Sequence, residues 1–520
     1  MSRFNFCDGY NTPQSVSADA QDIVNLYPEA VESGQGVSAL TLYSTPGLSQ
    51  FNNPGGNQVR GNFTITTGPS AGRTFKVVDA TLYEEFANGT TNAIGNVGND
   101  GGPVGFAACP QQLAIVSAGN LYSYQLATQV LPPINAGTFT GLIAGPWQPA
   151  SVTEIAFIDS AFYLLVASSQ TVYASNSFDA TATGWNALQV KIINTFADNV
   201  IGMGADHRFL WLFGAKQSEV DYDAGGFPFP LAPMPSGFIE QGVAAPNAIT
   251  ELDNAFFLIG ARNDIGQAIA YRTNGFAFQR ISTHAVETAW QSYAKISDAV
   301  SFAYQENGHT FWIVTFPTAQ KTWGYDVATG KWHRRGFWNL RIGDYQAALP
   351  ICHTFNFGKH LVGDRQSGRT YVMSSPVQAG GGWNFVTDNG APIRRLRRAP
   401  HINVEHQWQR YSNLEIYGET GLGPEPPLLD GAGQPRDPQI FLRISRDGGH
   451  TWGPQRVAGF GKAGKYMQRA NFKRLGRARD FVPEITCSDP VPWRFVDAYI
   501  NSKTQPSPRK RLVHQYAEVA

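Results

Sequence analysis

The feature that most constrains this chain is its rhythm. Apolar runs of strand length alternate with clusters of Gly, Asn, Asp and Pro. The runs include Phe75–Val78, Gly105–Ala108, Leu113–Val116, Ile155–Ile158, Phe162–Ala167, Phe209–Phe213, Phe256–Ile259 and Thr310–Phe316. Short strands broken by turn signals every ~8–12 residues describe an all-β sandwich, barrel or propeller. Gly (54) and Pro (32) make up about one residue in six, against roughly one in eight in an average chain. The length of 520 residues exceeds the ~250–300 at which single cores stop growing. Two or more domains, or one large closed β-architecture, are expected. No apolar run approaches the ~18 residues of a membrane span. The opening residues Met1–Cys7 lack the apolar core of a secretory signal. The four cysteines (Cys7, Cys109, Cys352, Cys487) form no Cys-x-x-Cys pair and read as free buried thiols in a reducing setting.

The formal net charge of zero hides an asymmetry. Residues 1–390 carry 19 basic and 28 acidic side chains, and residues 391–520 carry 21 and 12. The composition divides the chain into an extended arm (1–37), a propeller region (38–390) and a basic C-terminal β domain (391–520). The last contains a Pro/Gly-rich insertion (421–438) and either completes the propeller or packs on it. The expected fold is all-β, a propeller of six or seven blades with an additional β-rich domain. The single helical candidate is His284–Ile296. No fixed-period repeat is evident, so any blades have diverged.

Two motifs favour a propeller. Tyr325–Trp332 joins two β-runs through an Asp/Thr/Gly turn and resembles a kelch-type hairpin. Asp326 stands at the start of the turn, and Trp332 would pack between neighbouring blades. Ser445–Trp452 fits the Asp-box Ser-x-Asp-x-Gly-x-Thr-Trp, with Ser445, Asp447, Gly449 and Trp452 at its defining positions. There the aspartate bonds its own turn and the tryptophan packs beneath. Both motifs are structural.

Motifs that carry chemistry are scarce. The sequence contains neither a phosphate-binding Gly-x-x-x-x-Gly-Lys-Ser/Thr loop nor a Gly-x-Ser-x-Gly elbow. His353 and His360, and His401 and His406, read as core or surface histidines and not as metal ligands. Asp221-x-Asp223-x-Gly225 resembles the start of a calcium loop, but Ala232 stands where the closing carboxylate belongs. A solvated turn is expected there. No catalytic residue, metal site or cofactor is expected. The Asp-box raises an alternative, a carbohydrate-binding or glycan-cleaving sialidase-like propeller. One box is few for a sialidase, and Phe441-Leu442-Arg443-Ile444 is only a faint echo of the early arginine motif of those enzymes. The densest charge run is Arg394-Arg395-Leu396-Arg397-Arg398. It reads as an interface strip meeting acidic neighbours, or as a phosphate contact.

Several islands, taken together and in order, resemble one family. They are Asn25–Glu29, Thr45–Leu48 and Val59–Gly61; Ile158-Asp159 with Phe162, Ser175 and Trp185; Leu210–Gly214 with Glu219; and Arg280–Thr283 with Glu287. Further on come Gly308-His309, Tyr325-Asp326 and Trp332, then Ser445–Trp452, Lys473–Asp480 and Asp489-Pro490. The family is that of the packaged-DNA stabilisation, tail hub or nozzle proteins of short-tailed bacteriophages. The resemblance implies a structural virion protein located in the tail, and in the host cytoplasm during assembly. It implies a homo-hexameric ring below the portal-adaptor (head-to-tail connector) ring. It also implies contacts with tail fibre, spike or needle proteins. Packaged double-stranded DNA would pass through the lumen without sequence-specific binding. A lumen lined by the acidic part would let DNA slide, and an arm without a core would order on docking.

Overall fold

The computed structural model describes residues 1–33, 35–126, 137–261, 268–424 and 426–504. The chain separates into two compact units. One comprises Met1–Ile23, Pro28–Tyr43 and the chain from Arg395 onward; the other comprises Val24–Tyr27 and Ser44–Arg394.

The larger unit is a propeller of seven antiparallel sheets. Their first strands begin at Val59, Gly105, Val152, Val200, Gly242, Val300 and Pro350, at intervals from 42 to 58 residues. Unequal intervals explain why no fixed repeat is visible. Neighbouring blades share cores, and this is why the apolar runs are continuous and not alternating. In Ala161–Val166 every residue is buried. Phe162, Leu164 and Val166 join the core with the preceding blade, while Ala161, Tyr163 and Leu165 join the core with the following one. A strand buried on both faces has no solvent side on which to place polar residues. Phe209–Gly214 repeats the arrangement, with Leu210 and Leu212 on one side and Trp211 and Phe213 on the other.

The seventh blade is completed from the far end of the chain. Gly47–Asn52 pairs antiparallel with Thr370–Ser374, and Tyr371 faces Gln50. A strand from before the first blade thus closes the ring. The clasp is ionic. Lys76 in the first blade lies 2.9 Å from Glu85 with both side chains fully buried. Its ammonium also donates to Asn52 on the closing strand and to Thr370. Burial pushes the Lys76 pKa down and the neighbouring Glu85 charge opposes the shift.

The smaller unit contains two antiparallel groups of strands. Gln409–Gly418 lies between Ala470–Ala478 and Arg494–Thr504. Val482–Cys487 lies between Arg395–Arg398 and Gln439–Ser445, and Arg456–Gly459 pairs with the last. Buried rings, including Tyr411 on Phe481 at 4.3 Å and Phe460 on Trp493 at 5.2 Å, fill its core.

Two expectations change. Residues 1–37 are not a coreless arm: Ser2–Phe4 pairs with Arg494–Thr504, and Phe6, Cys7, Ala20 and Ile23 are buried. The helix spans His284–Gln291 and ends short of Ile296, where Ser292 caps it. Residues 421–438 hold only an isolated bridge, Leu429 to Pro435, among their described residues, as a Pro/Gly-rich insertion should. No helix among the described residues is long and apolar enough to cross a membrane. The four cysteines form no disulfide, and burial pushes the Cys7 and Cys352 thiols up to about 12.

Candidate functional site

The sixth-blade turn is built as its residues dictate. Asp326 is fully buried and accepts from Ala328 N at 3.1 Å and Thr329 Oγ1 at 2.7 Å. His309 Nδ1 lies 2.9 Å from its other face. Gly330 takes the left-handed φ of +65° that closes the turn. Trp332 donates from its indole to the Ile281 carbonyl at 3.0 Å, beyond the last strand of the fifth blade. Its ring meets Trp290 of the helix edge-on at 5.4 Å. The tryptophan therefore packs between blades.

The Asp-box lies elsewhere than on a blade: it connects Gln439–Ser445 to Arg456–Gly459 in the smaller unit. Asp447 accepts from Thr451 N at 2.9 Å and Thr451 Oγ1 at 2.5 Å, and from Ser445 Oγ at 2.7 Å. Gly449 N donates to Ser445 Oγ at 2.8 Å. These hydrogen bonds, led by Thr451, hold the Asp447 carboxyl well below the usual carboxylate range. Trp452 lies against two guanidiniums, Arg398 at 4.8 Å and Arg443 at 5.4 Å. Both arginines in turn grip the buried Glu484. The box thus fixes a turn that supports a stacked cation–tryptophan–carboxylate group.

The arginine run does not form one exposed strip. Arg395 and Arg397 are fully buried. Arg397 donates to the carbonyls of Phe6 at 2.7 Å and Gly9 at 3.3 Å, and to Gln21 Oε1 at 2.6 Å. Burial pushes its pKa down, and Asp8 leads the charges that oppose the shift. Arg398 is held by Glu484 at 2.8 Å. Arg394 is half-buried, its guanidinium 3.8 Å from the Trp338 ring centre. Arg395, Leu396 and Arg397 are all buried, and the hydrogen bonds of Arg397 anchor the first residues of the chain.

An open cavity of about 970 Å³ lies in the propeller, lined from every blade by residues that include Arg60, Phe106, Glu154, Met203, Glu251, Phe302 and His353. Glu154 accepts from the Met203 amide, and desolvation raises its pKa to about 8. The ring nitrogens of His353 and His360 lie 3.0 Å apart. Burial, followed by the His360 charge, lowers the His353 pKa to about 3. Asp221 is not in a solvated turn. It is fully buried, and Lys191 of the preceding blade bridges it at 2.5 Å and Glu219 at 2.7 Å. Only Asp223 serves the turn, accepting from Gly225 N at 2.8 Å. Among the described residues no group of His, Cys, Asp and Glu is arranged to hold a metal ion.

The Lys191–Glu219–Asp221 group and the clasp around Lys76 are missed by sequence reasoning, because Lys191 meets carboxylates of the next blade and the Lys76–Glu85 pair is completed by Asn52 and Thr370 of the seventh. His309, which bonds Asp326, stands in the sequence only within the Gly308-His309 island, with nothing to mark Asp326 as its partner.

Comparison with known proteins agrees with this division. Residues 5–378 match the family model described as "Bacteriophage P22 Gp10, beta-propeller". Residues 394–503 match the model described as "Bacteriophage P22 Gp10, beta-sandwich". No curated protein matches the sequence. Among solved structures, an exo-β-1,3-galactanase of Phanerochaete chrysosporium is 10% identical, with TM-score 0.28 over 76% of this chain and 95% of that one. The extracellular domain of a putative hybrid two-component system of B. thetaiotaomicron is 10% identical, with TM-score 0.41 over 84% of this chain and 56% of that one. At such TM-scores neither likeness bears on activity.

Proposed function

The chain belongs to the bacteriophage P22 Gp10 family of phage tail hub and stabilisation proteins, and from that premise we propose that it is the subunit of a hexameric ring below the portal-adaptor. In this reading the ring closes the tail channel, retains packaged DNA and lets it pass on ejection. The carrying observation is that both units match the same family, over residues 5–378 and 394–503. A closed cyclic ring needs two different, complementary faces on each subunit. Residues 1–390 and 391–520 differ in charge balance, so the chain has chemically different surfaces from which such faces are drawn. The propeller side, richer in carboxylates, lines most of the wall past which DNA slides. Fibre, spike or needle proteins are the ring's further partners in the tail. The motifs support a structural role: Asp326 and Asp447 spend their oxygens on their own turns.

Mass photometry of the full chain, alone and with the adaptor ring of its virion, tests the assembly. Six copies, on their own or on the adaptor, are expected. A persistent monomer that ignores the adaptor overturns the reading.

A further inference from the structure

Many arginines in this chain meet a carboxylate. Arg73 is paired with Glu84, Arg280 with Glu287, Arg436 with Asp489 and Arg494 with Glu419. On one sheet face several cations do not. Across Arg494–Thr504, Gln409–Gly418 and Ala470–Ala478, the register sets Lys503 opposite Arg410 and Arg410 opposite Arg477. All three are exposed. Like charges directly opposite across strands are destabilising, and adjacent strands lie only ~4.8 Å apart.

A bulge adds to the charge. Between Tyr411 and Asn413 the ladder with Ala470–Ala478 shifts, and Arg474 takes a φ of +60°. Alternation is broken, so Lys473 and Arg474 are both exposed. Two more cations hold the bulge through its carbonyls: Arg446 donates to Leu475 O at 2.8 Å, and Arg456 to Lys473 O at 2.8 Å. Carbonyls fix these side chains without cancelling their charge. Beside them, Arg477 and Arg479 lie 5.5 and 5.3 Å from the Trp408 ring centre. Among the described residues, Arg410, Arg446, Arg456, Lys473, Arg474, Arg479 and Lys503 form no ion pair. The sheet's own carboxylates, Glu415 and Asp497, are paired with Arg469 and Arg3.

We propose that this face is a sequence-independent binding site for the phosphate backbone of duplex DNA. The choice of duplex as occupant rests on the tail-channel reading. A second copy of this chain is a poorer fit. Exposed propeller carboxylates such as Asp159, Asp253 and Asp344 are already paired with Arg208, Arg272 and Lys321. Duplex DNA presents one charge per ~1.7 Å of axis and releases counterions when cations meet it. Retention needs one place where the duplex is held, apart from the wall past which it slides.

The test is fluorescence anisotropy of the full chain with a labelled random-sequence 30-base-pair duplex, from 50 to 200 mM salt. The expected logarithmic slope is about −0.9 per phosphate contact. The double variant Arg410→Gln/Lys503→Gln should flatten it by about two and weaken binding at least about tenfold. Lys473→Gln/Arg479→Gln should act alike. Lys216→Gln/Arg341→Gln, exposed elsewhere, should leave the slope unchanged. No duplex binding at 50 mM salt overturns the proposal, as does an equal slope in all variants. Wild-type duplex affinity in a face variant that no longer assembles also overturns it, and assigns the face to a protein partner. Mass photometry of the same samples separates the two readings. Rings without duplex binding remove only this site, whereas duplex binding by a permanent monomer removes the ring.

Discussion

At the residue scale, the burial of single ionisable groups sets a pH dependence. The Glu154 pKa is raised to about 8 by desolvation, above its ordinary ~4.3 in an unfolded chain. The folded state therefore holds a proton that the unfolded state releases between those values. Stability from this group is full below ~4.3 and is lost as pH rises through about 8. Glu154→Gln should stabilise the protein at pH 8.5 and change little at pH 5, as read from denaturation midpoints at the two values. His353 works in the opposite sense. Its pKa is lowered to about 3, so its contribution is present above ~6.5 and lost as pH falls towards 3. His353→Gln should blunt that acid-side loss in the same titration.

Asp447 illustrates what a motif does and does not disclose. The Ser-x-Asp-x-Gly-x-Thr-Trp spacing determines the turn, because the Ser445, Asp447 and Thr451 side chains bond within four residues of themselves. Which unit carries the turn depends on pairing with strands far away, and no local spacing encodes that. Asp447→Ala should speed amide hydrogen exchange at Thr451, whose N–H donates to the Asp447 carboxylate. Unchanged exchange there would show that the turn is held by its neighbours.

At the element scale, the central blade strands were the most legible. Phe162–Ala167 and Phe209–Phe213 read as strands because burial on both faces leaves an unbroken apolar run. The closing strand Gly47–Asn52 was not legible. Its partner is Thr370–Ser374, and its polar residues serve the Lys76–Glu85 clasp. The early chain misled for a related reason. Phe6 and Cys7 are isolated apolar residues in a polar stretch, and their burial depends on strands nearly the whole chain away, such as Arg494–Thr504. The clasp gives a prediction of its own. Removing one partner of a buried pair leaves an uncompensated charge and costs about 3–5 kcal/mol. Lys76→Ala should destabilise the propeller by that order in chemical denaturation. Lys76→Met with Glu85→Leu should recover most of it, and equal losses in both variants would assign the cost to packing instead.

At the scale of the whole molecule, zero net charge conceals two halves of opposite balance. The structure refines where the basic character acts. The dense arginine run is spent inside, on the Phe6 and Gly9 carbonyls and on Glu484. The cations left outward lie on the face around Lys473, Arg410 and Lys503. The central claim is that six such chains form the tail ring beneath the adaptor. Cryo-electron microscopy of isolated virion tails tests it most directly. The account predicts six copies in one closed ring against the adaptor, with Arg395 and Arg397 buried inside each subunit. A tail in which this chain occurs in another stoichiometry, or away from the channel, would contradict it.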